Sequence, residues 1–287
     1  MEIAHFTDPG CPWAWSASPA HTVLRWRYGD ALRWRLVMIG LTESAEQYLA
    51  RGYSPARQAR GYQRFRRYGM PFSTQPRRRI AATGRACRAV VATRLLDAPR
   101  ELEAFRALQL GMFTGGLVLD EDADIALALE RVPGLDVRAI VGALDDPEVE
   151  RAYEADRSEA RTAAGSPTEF QGKAARTDGP VRYTAPSLIF ETNGRRLEAG
   201  GFQPVEVYDV VVANLDPTLE RREPPESARE VLVALPHALT TQEVAAVLCR
   251  GNDAPDPDAA EAELVELVAA GQAARESVGD GALWTAA

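Results

Sequence analysis

Residues 2–39 read as strand, turn, helix and strand, and this unit restricts the fold more than any other feature of the chain. Glu2-Ile3-Ala4-His5-Phe6-Thr7 has strand character, and Asp8-Pro9-Gly10 is a turn. Apolar residues then recur at helical spacing from Cys11 to about Tyr28, with Pro12 at the first helical position. Gly29-Asp30 ends that helix, and Leu32, Trp34, Leu36 and Met38 alternate along a second strand. A β-α-β unit of this length predicts a parallel strand pair joined by a right-handed crossover.

The rest of the chain extends the pattern. Segments 43–50, 55–68, 76–96, 99–114, 120–131, 136–144 and 147–162 read as helices separated by Gly, Pro or Asp. Strand character returns at 181–192, around Ala185-Pro186. Asn193-Gly194 is a hairpin signal, Arg195 to Ala199 is the return strand, and a helix is expected at 204–215. The order predicts an α/β layer interrupted by a helical block. Pro217 to Arg229 reads as a linker. Beyond it, Thr240-Thr241-Gln242-Glu243 has the form of a capping box. Helices around 241–249 and 258–270 and a hairpin about Gly279-Asp280-Gly281 make residues 230–287 a small winged-helix-like unit.

At 287 residues the chain has room for about two domains. It contains no apolar run long enough to cross a bilayer and no basic-then-apolar leader, so no membrane partner and a cytoplasmic location are expected. Cys11, Cys87 and Cys249 are odd in number and far apart. They form neither a disulfide framework nor zinc-ligand spacing, and no metal is expected. Charge is uneven. Residues 51–106 hold 14 Arg against three acids, a net of +11, and could attract an anionic ligand. Residues 235–287 hold two Arg against nine acids, a net of −7. The helix expected to serve as a recognition helix, Asp258 to Ala270, carries Glu261, Glu263 and Glu266 and no base. Phosphate contact supplies most non-specific affinity, so nucleic acid is not an expected partner.

The chemistry concentrates at the first strand-to-helix turn. Backbone N–H groups converge there, and the helix dipole favours an anion, so a cysteine at this point is expected to have a thiol pKa below the free value of about 8.5. Asp8 is a candidate turn cap or proton acceptor. Cys87 reads as packed in a helix, and Cys249 likewise. His5 reads as a core or capping residue that could reach the site, His21 as structural, and His237 has no visible partner. Trp13 and Trp15 could shield the thiol or simply pack. The run Arg77-Arg78-Arg79 is a candidate anion site, with Arg64, Arg66 and Arg67 as the alternative; a solvated helix face is the competing reading.

The stretch Asp8-Pro9-Gly10-Cys11-Pro12-Trp13-Ala14-Trp15 resembles the Cys-Pro-Trp-Cys active site of DsbA-like thioredoxin-fold proteins, a group that includes the 2-hydroxychromene-2-carboxylate isomerases. Tyr183-Thr184-Ala185-Pro186-Ser187-Leu188 resembles the family's cis-proline loop, and Gly200-Gly201-Phe202-Gln203-Pro204 its entry to the last helix. The resemblance implies a thioredoxin-like domain from 1–42 and 178–216, with 43–177 as the helical insertion. It implies Cys11 as the catalytic thiol within the motif Pro12, Trp13 and Ala14. It assigns substrate binding to Thr184, Ala185 and Pro186, with the Ala185–Pro186 bond cis. One departure matters: Ala14 stands where the family has its second cysteine, so a mixed disulfide on Cys11 has no neighbouring thiol to resolve it. The expected function is therefore thiol-disulfide exchange or thiol-dependent transfer through one cysteine. The cofactor would be an external low-molecular-weight thiol, mycothiol- or glutathione-like, and the partner a small thiol or disulfide substrate. A homodimer is admitted. Two other readings stand beside it: an isomerase or transferase in which a bound thiol cofactor does the chemistry, and a catalytically silent binding protein on the same scaffold.

Overall fold

A computed structural model describes every residue except 178, 236 and 252. Its central sheet has the order β2-β1-β5-β6. Strand β1 (Glu2–Thr7) runs parallel to β2 (Arg33–Met38) and antiparallel to β5 (Ser187–Thr192), which pairs antiparallel with β6 (Arg195–Ala199). The period of two sorts the side chains. Ile3, Leu188 and Phe190 pack with Leu24, Tyr208 and Val212 on one face. Ala4, Phe6 and Ile189 pack with Cys11, Ala14 and Ala185 on the other.

Between β1 and β2 the chain forms two helices, α1 (Pro12–Ser16) and α2 (Ser18–Tyr28), where the sequence pattern suggested one. Pro19 has no N–H to donate into a continuous helix, and the joint falls at Ala17. The insertion comprises α3 (Ala45–Ala50), α4 (Pro55–Gln63), α5 (Gly84–Leu96), α6 (Glu101–Phe113), α7 (Asp122–Leu129), α8 (Val137–Gly142) and α9 (Pro147–Ala160). A short α10 (Pro167–Phe170) and the pair β3 (Ala174–Ala175) and β4 (Arg182–Tyr183) lead back to the sheet. The expected helix over 76–96 starts only at Gly84. Upstream, amides find partners elsewhere: Ala82 donates to Asp120 Oδ2 (2.9 Å), and Thr83 donates to the Thr42 carbonyl (3.0 Å).

Strand β2 is an edge, and the insertion covers it. Asp156 of α9 accepts from the Met38 amide (2.9 Å) and pairs with Arg94, which donates to the Leu36 carbonyl (2.9 Å).

Helix α11 (Val205–Leu215) closes the thioredoxin layer. The C-terminal unit then runs α12 (Ala228–Ala234), β7 (Leu239–Thr240), α13 (Thr241–Leu248), α14 (Pro257–Ala269), β8 (Ala273–Val278) and β9 (Gly281–Ala286), with strand order β7-β9-β8. This is the winged-helix-like arrangement, except that its first helix begins at Ala228, capped by Ser227, inside the stretch expected to be linker. The linker itself is docked: Arg222 N donates to the Arg27 carbonyl (2.8 Å), and Trp26 Nε1 to the Glu223 carbonyl (2.9 Å). The wing returns to the insertion, where Asp280 Oδ1 accepts from Phe72 N (2.7 Å). Gly279, at φ +52°, sits so close to the Phe72 backbone that a Cβ would collide with it.

Thr240 and Glu243 form the expected capping box, and the same carboxylate binds Arg106 of α6 (2.7 and 2.5 Å) with no solvent exposure. Burial opposes ionisation of Glu243, but Arg106 and the Thr240 amide outweigh it and hold the carboxyl below its usual range. Glu243→Gln should therefore cost about 3 kcal/mol, since it leaves the largely covered Arg106 without its counter-charge. Urea unfolding at neutral pH measures this. Because the folded pKa is depressed, the wild-type advantage should be full above the unfolded value and fade as pH falls through the folded one.

Candidate active site

The turn that presents Cys11 is built around Asp8. Its fully buried carboxylate accepts from Gly10 N (2.7 Å), Leu41 N (2.8 Å), Thr83 Oγ1 (2.9 Å) and Cys87 Sγ (3.4 Å). Gly10 is required here because a Cβ would lie 2.4 Å from the Thr83 methyl. Asp8 thus fastens the turn to the insertion, and its oxygens are occupied by those donors. Burial raises its pKa, and the hydrogen bonds oppose the rise.

Cys11 is the N-cap of α1 and is 5% exposed. Its Sγ donates to the Ala185 carbonyl at 3.1 Å, across 174 residues of chain. The Ala185–Pro186 peptide bond is cis. Thr184 and Ala185 line the same pocket as Cys11; Thr184 Oγ1 donates to the Lys173 carbonyl (2.7 Å), and the Thr184 carbonyl accepts from Ser187 Oγ (2.7 Å). These bonds hold the loop so that Ala185 meets the thiol. Ala14 is buried one turn beyond Cys11 in the same cluster. Trp15 is buried, donating to the Pro71 carbonyl (3.0 Å), whereas Trp13 stays 39% exposed in a rim with Phe65, Tyr68 and Phe202. Cys87 is buried beneath Asp8, and the Cys249 thiol donates to the Asp253 carbonyl (2.7 Å).

The expected low pKa of Cys11 needs correction. Burial pushes the thiol up to about 12; the Ala14 and Trp13 amides and the Arg182 charge oppose the rise, while the Asp8 charge adds to it. A five-residue helix supplies too little to offset desolvation of the sulfur. The resting group is a thiol that donates a hydrogen bond. Alkylation of Cys11 by iodoacetamide should then accelerate about tenfold per pH unit across the neutral-to-alkaline range without levelling off. A plateau below about pH 8 would mean that the helix amides outweigh burial.

Cys11 opens onto a cavity of about 770 Å³ whose far wall belongs to the insertion. Arg57, Arg60 and Arg64 line it, at a spacing that puts them on one face of α4 and its C-cap. Among the described residues, none of the three has a carboxylate within salt-bridge distance. Arg182 enters from the loop side, donating to Tyr183 O (3.1 Å) and Thr177 Oγ1 (3.3 Å).

The candidate anion site at 77–79 is also corrected. Arg77 is buried against Gln58 and Tyr62; Arg78 is bound to Glu121 and Asp124, and Arg79 to Asp120 and Glu121. Acids far downstream in sequence neutralise Arg78 and Arg79, and Arg77 is turned inward onto neutral partners, neither of which the local sequence shows. Of the alternative set, Arg66 pairs with Asp280 (2.5 Å) and Arg67 stacks on Tyr68; only Arg64 faces the cavity. Arg57 and Arg60 were missed. The available signal was an Arg-rich helix with no acid from residue 51 to residue 96.

A cysteine at the first strand-to-helix turn, facing a proline loop across a mixed four-stranded sheet, defines a thioredoxin-fold thiol protein. The DSBA-like thioredoxin domain family matches over residues 2–181, and the chain belongs to that family. Among solved structures, the cytosolic disulfide reductase DsbM of Pseudomonas aeruginosa superimposes with TM-score 0.53 at 16% identity, over 76% of this chain and 100% of that one. Its structure with GSH gives 0.52 at 17% identity, over 75% and 99%. A probable DsbA oxidoreductase from Streptomyces coelicolor gives 0.55 at 16% identity, over 79% and 93%. No curated protein matches the chain. Among the described residues no helix is long and apolar enough to cross a membrane, and no group of three or more His, Cys, Asp or Glu could hold a metal ion.

Proposed function

We propose that the chain is a monothiol oxidoreductase that exchanges disulfides through Cys11 with an anionic low-molecular-weight thiol, glutathione- or mycothiol-like, in a reducing cytoplasm. The observation that carries this reading is the placement of Cys11 on one wall of a cavity whose opposite wall presents Arg57, Arg60 and Arg64. Elsewhere in the insertion, Arg78, Arg79, Arg85, Arg88 and Arg94 are held by carboxylates. A ligand with carboxylates would supply the counter-charge this face lacks. The GSH carried by the DsbM structure is a ligand of that chemistry in a protein of the same fold.

In the first step the Cys11 sulfur attacks one sulfur of a small disulfide RS–SR. A Cys11–S–SR bond forms, the RS–SR bond breaks, and the leaving RS⁻ takes up the proton Cys11 gives up. A second thiol R′SH then attacks the bound sulfur, releasing RS–SR′ and returning the proton to Cys11. The Ala185 carbonyl accepts the resting thiol's hydrogen bond, so a group bonded to the Cys11 sulfur would lie beside the cis-proline loop.

The test is turnover of a small mixed disulfide with glutathione against neutral 2-mercaptoethanol. Glutathione should be preferred. Replacing Arg57, Arg60 and Arg64 together by Gln should raise KM for glutathione about tenfold, since each exposed charge contributes about 0.2–1 kcal/mol. KM for 2-mercaptoethanol should stay unchanged. Equal use of both thiols by wild type contradicts an anion-selecting wall.

A further inference from the structure

All three histidines of the chain converge on a second cavity, behind the active-site helix. Its volume is about 70 Å³, and it lies where α1, α2, β1 and α6 meet the C-terminal unit. Ala14 forms part of its wall, so the chamber and the thiol cavity back onto the same helix.

The polar groups in it are badly matched to one another. His5 is buried with neither ring nitrogen hydrogen-bonded, and His21 Nε2 and Gln109 Nε2 are likewise buried without partners among the described residues. The His5 and His21 rings meet edge-on at 4.7 Å. Burial drives both imidazoles toward the neutral form, with the Arg25 charge reinforcing it, and each neutral ring keeps one N–H to donate. His237, likewise pushed toward the neutral form by burial, completes the wall.

The charges do not balance either. Arg25 lies over the Trp34 ring at 4.0 Å and makes no ion pair among the described residues. Arg106 also faces the chamber but is neutralised by Glu243, whose oxygens further accept from Thr22 Oγ1, Thr240 N and Thr240 Oγ1. The other carboxylate in the wall, Glu103, is taken by Arg100 (2.7 and 3.0 Å). One guanidinium therefore stands over a small cavity together with unpaired side-chain N–H groups. A half-buried cation with no ion-pair partner favours a counter-charge, and buried donors call for an acceptor.

We propose that this chamber binds one small monovalent anion, a halide or a short carboxylate such as formate, between Arg25, Gln109 and the paired histidines. The ion would cement the joint between the C-terminal unit and the thioredoxin domain. A few water-sized positions fit such a volume, so larger organic acids are excluded by size.

The experiment exchanges sodium gluconate for sodium formate at constant ionic strength while Tm is recorded on the full chain. For wild type, Tm should rise saturably, by roughly 5 °C at about a hundredfold excess over Kd. Arg25→Met removes the guanidinium that stacks on Trp34 but leaves a side chain of similar length, and the formate response should disappear in it. A Tm unchanged by formate, or a response that persists in Arg25→Met, overturns the proposal. Should that variant fail to fold, a bromide soak of wild-type crystals gives an independent reading. An anomalous peak beside Arg25 and Gln109 supports the site, and water alone at that position overturns it.

Discussion

Cys11→Ser should abolish glutathione-dependent disulfide exchange, lowering turnover by about a thousandfold or more. The substitution exchanges one sulfur for one oxygen in a position that donates a hydrogen bond to Ala185, and a hydroxyl can make that bond. The fold should therefore survive, with Tm within a few degrees of wild type, and the loss is chemical. Cys87→Ser serves as the control. Cys87 is fully buried and donates to Asp8, below the turn. Its replacement should cost some stability and leave exchange intact. Loss of exchange in both variants would make Cys87 a resolving thiol, and the single-cysteine account would fail.

Ala14→Cys should have the opposite effect. Residues 11 and 14 are three apart at the start of α1 and share one buried cluster, so a sulfur at position 14 comes within reach of Cys11. Attack by that thiol on a mixed disulfide is intramolecular, which favours it over attack by a thiol from solution. The variant should form an internal disulfide between Cys11 and the thiol introduced at position 14. It should reduce insulin disulfides on the order of tenfold faster than wild type. Wild type should need added thiol to do so at all. Should wild type already reduce insulin as a dithiol enzyme does, without added thiol, another cysteine resolves the bond.

Much of the frame was legible from local signals. Pro12, the alternation from Leu32 to Met38 and Asn193-Gly194 placed the β-α-β and hairpin elements, and the Thr240–Glu243 spacing placed a capping box. Each of these depends on neighbours in sequence. What failed depends on partners far along the chain. The Arg77–Arg79 run carries no sign of Asp120, Glu121 and Asp124, and the placement of Cys11 at a helix start carries no sign of how deeply the folded turn buries it. The helix expected from residue 76 was overridden by bonds to Thr42 and Asp120. Arg57 and Arg60 stood in plain view but were indistinguishable from other basic residues until the helix face and the cavity were known. In sequence, 232 residues separate His5 from His237, and only the fold brings the three histidines together.

Mass spectrometry of the intact protein and its peptides after incubation with glutathione disulfide tests the central assignment most directly. One glutathione should be found on Cys11, removed by excess glutathione and absent from Cys11→Ser, while Cys87 stays unmodified. Glutathione confined to Cys249, or a Cys11 that remains free while exchange proceeds, would contradict the assignment of Cys11 as the reacting thiol.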